Sequence, residues 1–481
     1  MTAPLQLFNS LTRKLETFEP VHAGEARVYS CGPTVYNYQH IGNMRAYVFA
    51  DTLGRALSFK GYALRHIVNI TDVGHLTSDA DAGDDKMEKA AASQGKSAWD
   101  VAAFYTAEFK RDLHWLNVRD PAKWTVATDY VERMIAFAKR IADKHCYELD
   151  SGLYFDVSTV ADYGRLARAV TEGGEGRIDE VEGKRHAADF AIWRRTPPGE
   201  TRQMEWDSPW GRGAPGWHLE CSVMGEAELG MPFDIHTGGI DHREIHHPNE
   251  IAQNQAYREC GGLDCAEHSG ARLWMHNNFL IDRGGKMSKS AGEFLRLQLL
   301  VDRGYHPLAY RLMCLQAHYR SELEFSWDGL GAALTRLKRM AIAVERLGDG
   351  EEGGDSRDAR LAPFLDRFDA AISDDLNTPL ALTAFEEVLA AKKVDSSAKR
   401  GAIAEMDAVL GLGLIDLARA DLRLRPKDAE LDEDDVEDAL ERRRDARAAR
   451  DFSRSDAIRD ELAAQGVDVM DGDPLGWDWK L

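Results

Sequence analysis

Between residues 25 and 70 the spacing of apolar positions changes twice. Residues 27–30, Arg-Val-Tyr-Ser, are a short β-prone run. From 43 to 60, Ala46, Phe49, Leu53 and Leu57 recur at helical spacing and predict one buried helix face. Gly61 follows as a stop signal. Residues 65–70, Arg-His-Ile-Val-Asn-Ile, read as a second strand. A strand, a helix and a strand in this space predict a right-handed βαβ crossover in a parallel sheet. Residues 77–86 read as a loop. Ser97 is placed to cap a long helix whose Val101, Tyr105, Phe109, Leu113 and Leu116 form a core stripe.

Residues 120–205 read as an insertion, with short β-prone pieces and Gly-rich or Pro-rich breaks. The strand-like Phe233, Asp234, Ile235 and His236 and a helix around Pro248 resume the α/β pattern. After about 328 the strand signal fades. The break at 348–358 is a loop, and a helical bundle is expected over 331–421. An acidic run at 428–438, an Arg-rich helix, a turn near 451–453 and a short helix to Gln465 close the chain. The expected fold class is α/β. A Rossmann-like parallel-sheet catalytic domain (1–119 and 206–280) carries the insertion (120–205). The bundle (331–421) and a small C-terminal domain (422–481) follow.

The chain has 481 residues, enough for two to four domains. It is 44% hydrophobic and 29% charged, a balance that builds a large core and excludes a disordered chain. Its apolar runs are far too short for a membrane span. The first residues lack an apolar signal core, so a cytoplasmic protein is expected. Cysteines at 31, 146, 221, 260, 265 and 314 form no CxxC pair, so free thiols or metal ligands are expected over disulfides. The net charge of −21 argues against a nucleic-acid partner. Screening beyond a Debye length of ~8 Å weakens that argument, and Arg443, Arg447, Arg450 and Arg454 recur at helical spacing. A solvated helix with internal ion pairs explains those arginines equally well.

Two GxGxxG matches, at Gly211 and Gly348, have the wrong context for a dinucleotide site. Two other segments carry chemistry. Lys286-Met287-Ser288-Lys289-Ser290 follows Gly284 and Gly285 and reads as a hinged loop with two ammonium groups. Such a loop can close on a triphosphate and neutralise charge in the transition state. His40-Ile41-Gly42-Asn43 sits at a helix N-terminus, which favours phosphate, and Gly42 permits close approach to the backbone. The pair resembles the HIGH and KMSKS signatures of class I aminoacyl-tRNA synthetases. Asn43 stands where the signature has its second His, so this position can donate a hydrogen bond but carries no charge.

Cys31, Cys221, His246 and Glu250 offer two thiolates, an imidazole and a carboxylate, a sound donor set for Zn²⁺. From spacing alone, buried free thiols and a salt-bridged Glu are the stronger reading. These residues sit in motifs that closely resemble the cysteinyl-tRNA synthetase family: CGPTVY, HIGN, NITD, SPWG, GWHLECS, DIHTGGID, HHPNE and KMSKS, continuing into DDLNTPLAL and the Arg-rich end. The resemblance implies one zinc held by Cys31, Cys221, His246 and Glu250 that binds the substrate's thiolate, and Mg²⁺ with ATP. It implies His40, Asn43, Lys286 and Lys289 as catalytic residues. ATP would meet His40, Gly42, Asn43, Gly238, Gly239, Asp241 and Lys289; cysteine would meet Gly32, Thr71 and Trp217. Residues 281–330 would hold the KMSKS loop and stem contacts. Residues 422–481 would read the anticodon of tRNA for cysteine, with Arg443 and Arg447 on the RNA. A related family, the cysteine ligase of mycothiol synthesis, lacks such an end. A monomer using L-cysteine, ATP and tRNA, with no membrane contact, is the expected state.

Overall fold

The computed structural model describes residues 3–73, 86–167, 183–260, 262, 269–282, 285–286, 295–348 and 358–481. A hairpin of β1 (Gln6–Asn9) and β2 (Lys14–Thr17) opens the chain. The expected crossover follows as β3 (Glu25–Ser30), α1 (Ile41–Phe59) and β4 (Ala63–Ile70). β3 pairs in parallel with β4, Glu25 opposite Ala63 and Ser30 opposite Val68. The His40 Nδ1 caps α1 by accepting the Gly42 N–H at 3.1 Å. Gly61, at φ +89°, turns the chain back.

Helix α1 departs from the one-faced pattern, because even its Arg45, Asp51 and Arg55 are buried. Each has a partner. Arg55 Nε meets Asp51 Oδ2 at 2.7 Å, Arg311 Nη2 meets the same oxygen at 2.6 Å, and Arg45 donates to backbone carbonyls such as that of Asn278, at 2.9 Å. A helix enclosed on all sides keeps its polar residues only where such bonds satisfy them.

Helices α2 (Lys86–Gln94) and α3 (Ala98–Trp115) come next, and Ser97 Oγ caps α3 by accepting the Asp100 N–H at 3.1 Å. The whole stripe from Val101 to Leu116 is buried. β5 (Lys123–Val126) corrects the expected insertion boundary. It pairs in parallel with β4, Ile67 opposite Lys123, and so belongs to the main sheet. The following α4 (Val131–His145) packs on elements of the same unit. The separate sheet comprises β6 (Cys146–Leu149), β7 (Gly152–Phe155), β8 (Phe190–Arg195) and β9 (Gly213–Pro215), paired antiparallel in that order. A Cβ on Gly213 would stand 1.9 Å from the Arg194 carbonyl oxygen, so this glycine of the discarded GxGxxG match serves strand packing.

α5 (Trp217–Leu229), β10 (Phe233–Gly239), α6 (His246–Arg258) and β11 (Ala271–Asn277) complete the parallel-sheet unit. Its sheet runs β11-β10-β3-β4-β5, every pair parallel. The order reverses between β3 and β10, the switch point at which open α/β sheets bind ligands.

Beyond it lie β12 (Leu280–Asp282), β13 (Gly285–Lys286), α7 (Leu297–Asp302), α8 (Pro307–Leu315) and β14 (Leu323–Glu324). The helices α9 (Trp327–Glu345), α10 (Ala362–Ser373), α11 (Thr378–Ala390) and α12 (Ser396–Leu410) form the bundle. The end of the chain packs α13 (Glu433–Ala448), α14 (Phe452–Ala464) and the hairpin β15 (Val467–Val469) with β16 (Trp477–Trp479) around a core of its own, including Val436, Leu440, Leu462 and Trp477. No helix among the described residues is long and apolar enough to cross a membrane.

Candidate active site

A cavity of about 330 Å³ opens at the switch point, past the carboxyl ends of β3 and β10. Cys31 and Gly32 enter it directly after β3, and His40, Gly42 and Asn43 reach it from the start of α1. Thr71 comes from the end of β4, Trp217 and Cys221 from the first turns of α5, and Gly239 and Asp241 from the end of β10. His246 opens α6, with Glu250 one turn further on. Gly32 is required where it stands, since a Cβ would lie 1.5 Å from the Asn69 carbonyl oxygen.

At the floor, one ligand atom from each of Cys31, Cys221, His246 and Glu250 lies within 4.8 Å of the others; Cys221, His246 and Glu250 are buried and Cys31 is half-buried. His246 Nε2 stands 2.9 Å from Glu250 Oε1, but that oxygen has no hydrogen bond. Two sulfurs, an imidazole nitrogen and an orphaned carboxylate oxygen converging on one point fit a zinc ion. A second set, Cys31, His236, His247 and Glu250, is equally compact. Its histidine nitrogens meet members of the same set, His236 Nε2 with Glu250 Oε2 at 2.9 Å and His247 Nε2 with Cys31 Sγ at 3.3 Å, and neither histidine lines the cavity. In the first set, Cys31, Cys221 and His246 also face the cavity.

The surrounding histidines orient those side chains. His218 Nδ1 lies 2.9 Å from His246 Nδ1, which turns the His246 Nε2 toward Glu250. His247 continues through His276 to Ser10, each step 2.8 Å. Groups that hold the far side of a ligand fix its ring and raise its basicity. Burial opposes the Cys31 thiolate, but the Cys221 hydrogen bond and the nearby His242, His247 and His236 hold its pKa well below the usual thiol value. The Cys221 thiol is pushed up in turn by its bond to Cys31 and by burial. Burial disfavours the His246 imidazolium, yet Glu250 and Cys31 outweigh it and push the ring up to about 10. The cluster thus holds negative charge with shared protons, which a divalent cation would displace.

The description "tRNA synthetases class I (C) catalytic domain" matches residues 17–335. A cysteine–tRNA ligase of Novosphingobium aromaticivorans is 73% identical over 481 residues, covering 100% of this chain and 98% of that one. A cysteine–tRNA ligase of Zymomonas mobilis is 54% identical, again covering 100% of this chain and 98% of the other. The chain belongs to the cysteinyl-tRNA synthetase family. It is therefore an ATP-dependent class I synthetase. A Mycobacterium tuberculosis methionyl-tRNA synthetase bound by methionyl-adenylate shares the fold, with a TM-score of 0.53, 15% identity and coverage of 81% of this chain and 91% of that one.

Other expected positions of this synthetase fall elsewhere. Gly238 is not among the cavity-lining residues, and a Cβ there would lie 2.8 Å from both His242 Nδ1 and His247 Cε1, so packing alone demands glycine. Lys289 lies outside the described residues, as do residues 77–85 of the expected loop; for Lys286 the backbone alone is described, in β13. Arg443 and Arg447 both engage Asp471, at 3.0 and 3.2 Å, which is the ion-paired arrangement. Sequence reading passed over His236, His242, His247, His276, Asn69 and Glu220. Histidine density in DIHTGGID and HHPNE was the one available signal, because their partners come from distant strands.

Proposed function

We propose that this synthetase activates L-cysteine with ATP and transfers it to the 3′ end of tRNA for cysteine, acting as a cytoplasmic monomer. The convergence of Cys31, Cys221, His246 and Glu250 within 4.8 Å beneath the His40–Asn43 rim carries this reading. Zinc held by those four residues would supply a soft centre that favours a thiolate over a hydroxyl.

At the rim, His40 Nδ1 is already an acceptor, so a proton on this ring sits on Nε2 and can be offered to a phosphate oxygen. Asn43 Nδ2 is held by Gln39 Oε1 at 2.9 Å, which keeps the amide at the cavity edge. Lys286 and Lys289, with Mg²⁺ accompanying ATP, would neutralise the triphosphate. The substrate carboxylate attacks the α-phosphorus and pyrophosphate leaves. A hydroxyl of the terminal tRNA adenosine then attacks the carbonyl carbon and AMP leaves. Neither step needs a protein nucleophile, since positioning and charge neutralisation carry most of the barrier. The exposed Arg442, Arg444, Arg450 and Arg454 support RNA contact at the C-terminal end, and Arg443 and Arg447 would join by leaving Asp471.

ATP–pyrophosphate exchange and charging of total tRNA test the reading. Exchange should depend on cysteine and not on serine, and labelled cysteine should become attached to tRNA. Exchange that serine supports equally, or exchange without charging, would contradict it.

A further inference from the structure

A one-way hydrogen-bond chain runs behind the cavity wall. It starts at the Gly32 N–H, which can only donate and which reaches Asn69 Oδ1 at 2.7 Å. With its oxygen taken, the Asn69 amide turns its nitrogen to Thr71 Oγ1 at 3.1 Å. Having accepted there, the Thr71 hydroxyl gives its one proton to Glu220 Oε2 at 2.8 Å. The first member sets the direction as far as Thr71. The last step runs to Glu220 when Glu220 is ionised or carries its proton on Oε1, because Oε2 accepts in both cases.

Glu220 is an expensive way to satisfy one hydroxyl. It is 0% exposed, and its Oε1 has no hydrogen bond among the described residues. An apolar residue would cost less at such a site. What the carboxyl does is fix the polarity of Thr71. A hydroxyl oxygen has one proton and two lone pairs. Glu220 takes the proton and Asn69 one lone pair, so the oxygen has only an acceptor left to offer. The Thr71 backbone is pinned as well, its N–H to the Pro33 carbonyl at 3.0 Å and its carbonyl to the Val35 N–H at 3.1 Å. Thr71 lines the same cavity as Cys31 and Cys221. A ligand whose sulfur sits at those cysteines must bring a donor to Thr71, and the donor an amino acid carries is its α-ammonium.

We infer that Glu220 is a positioning residue: by taking the Thr71 proton it leaves Thr71 Oγ1 as an acceptor for the substrate's α-ammonium, so the pocket selects thiol amino acids over thiol acids that lack the amine. The inference rests on the proposed reading of this cavity as the cysteine pocket.

The probes are cysteine, as substrate in pyrophosphate exchange, and 3-mercaptopropionate, a competitor with the thiol and carboxylate but no ammonium. Glu220→Met should raise the cysteine KM about tenfold, the size of one hydrogen bond to a charged group. Its kcat should stay within about twofold, as expected when ground-state binding alone is lost. The inhibition constant of 3-mercaptopropionate should not move. Glu220→Gln, whose amide oxygen still accepts, should recover most of the lost affinity. Thr71→Val should show the same selective loss even if Glu220→Met folds poorly. Parallel weakening of both ligands, or a Gln variant as poor as the Met variant, would overturn the inference while leaving the pocket assignment intact. A wild-type enzyme that ignores cysteine and is not inhibited by 3-mercaptopropionate would overturn both.

Discussion

His246 Nε2 and Glu250 Oε1 are 2.9 Å apart, an ion-pair distance without hydrogen-bond geometry. The two atoms lie side by side as ligands of a common ion do. A buried carboxylate oxygen left in that state costs about 1–3 kcal/mol or more, and a cation removes the cost. Glu250→Ala should therefore weaken zinc binding by on the order of a hundredfold. Competition against a chromophoric chelator measures this, and unchanged affinity would contradict it.

His40 serves two purposes that substitution can separate. Its Nδ1 caps α1, and its ring lines the cavity. His40→Ala should cost about 1 kcal/mol in unfolding and slow pyrophosphate exchange by about a hundredfold. His40→Asn restores a good cap without the ring, so it should recover stability but not rate. Denaturant unfolding beside exchange kinetics reads both.

Arg419 ties the C-terminal unit to the rest of the chain. It is 1% exposed, with Nε on Asp473 at 2.9 Å and Nη2 on Asp478 at 2.6 Å, while Lys338 from α9 shares Asp478. Arg419→Met leaves two buried carboxylates short of a partner. It should destabilise the C-terminal unit by about 3 kcal/mol. The fluorescence of Trp477 and Trp479 would follow that transition. Cysteine-dependent exchange should persist while tRNA charging falls; a parallel loss of both would show that the C-terminal end shapes the active site.

Asp112 gives a pH dependence with a definite sign. Burial pushes its carboxyl up to about 6, against the opposing pull of Arg111 at 3.1 Å. A raised carboxyl stabilises the fold in its protonated form. That contribution is complete below the unfolded pKa, near 4, and is lost as pH rises through 6. Asp112→Asn should therefore gain on the wild type by on the order of 2 kcal/mol between pH 4 and pH 7. Parallel stability curves for the two proteins would contradict this.

The crossover from 25 to 70 was legible because its periods are clean and its stop is a glycine. β5 was not, since Lys-Trp-Thr-Val is only four residues long and its partner strand lies 56 positions earlier in register, as Ile70 opposite Val126 shows. The four candidate metal ligands were singled out by their motifs, and spacing alone left them ambiguous. Glu220 carried no signal, and the histidine network only the density of histidines in DIHTGGID and HHPNE, because their meaning lies in contacts such as Thr71 to Glu220 and His247 to His276. For Arg443 and Arg447 the sequence left ion pairing and RNA contact equally open, and Asp471, beyond the next helix, pairs with both.

Recognition of cysteine through its sulfur at Cys31, Cys221, His246 and Glu250 requires the metal shell to change when substrate binds. X-ray absorption at the zinc edge of the purified enzyme, with and without saturating cysteine, reads that change. One more sulfur should enter the zinc shell, at about 2.3 Å, when cysteine is added, with no change for serine. An unchanged sulfur count at saturating cysteine would contradict this mode of recognition.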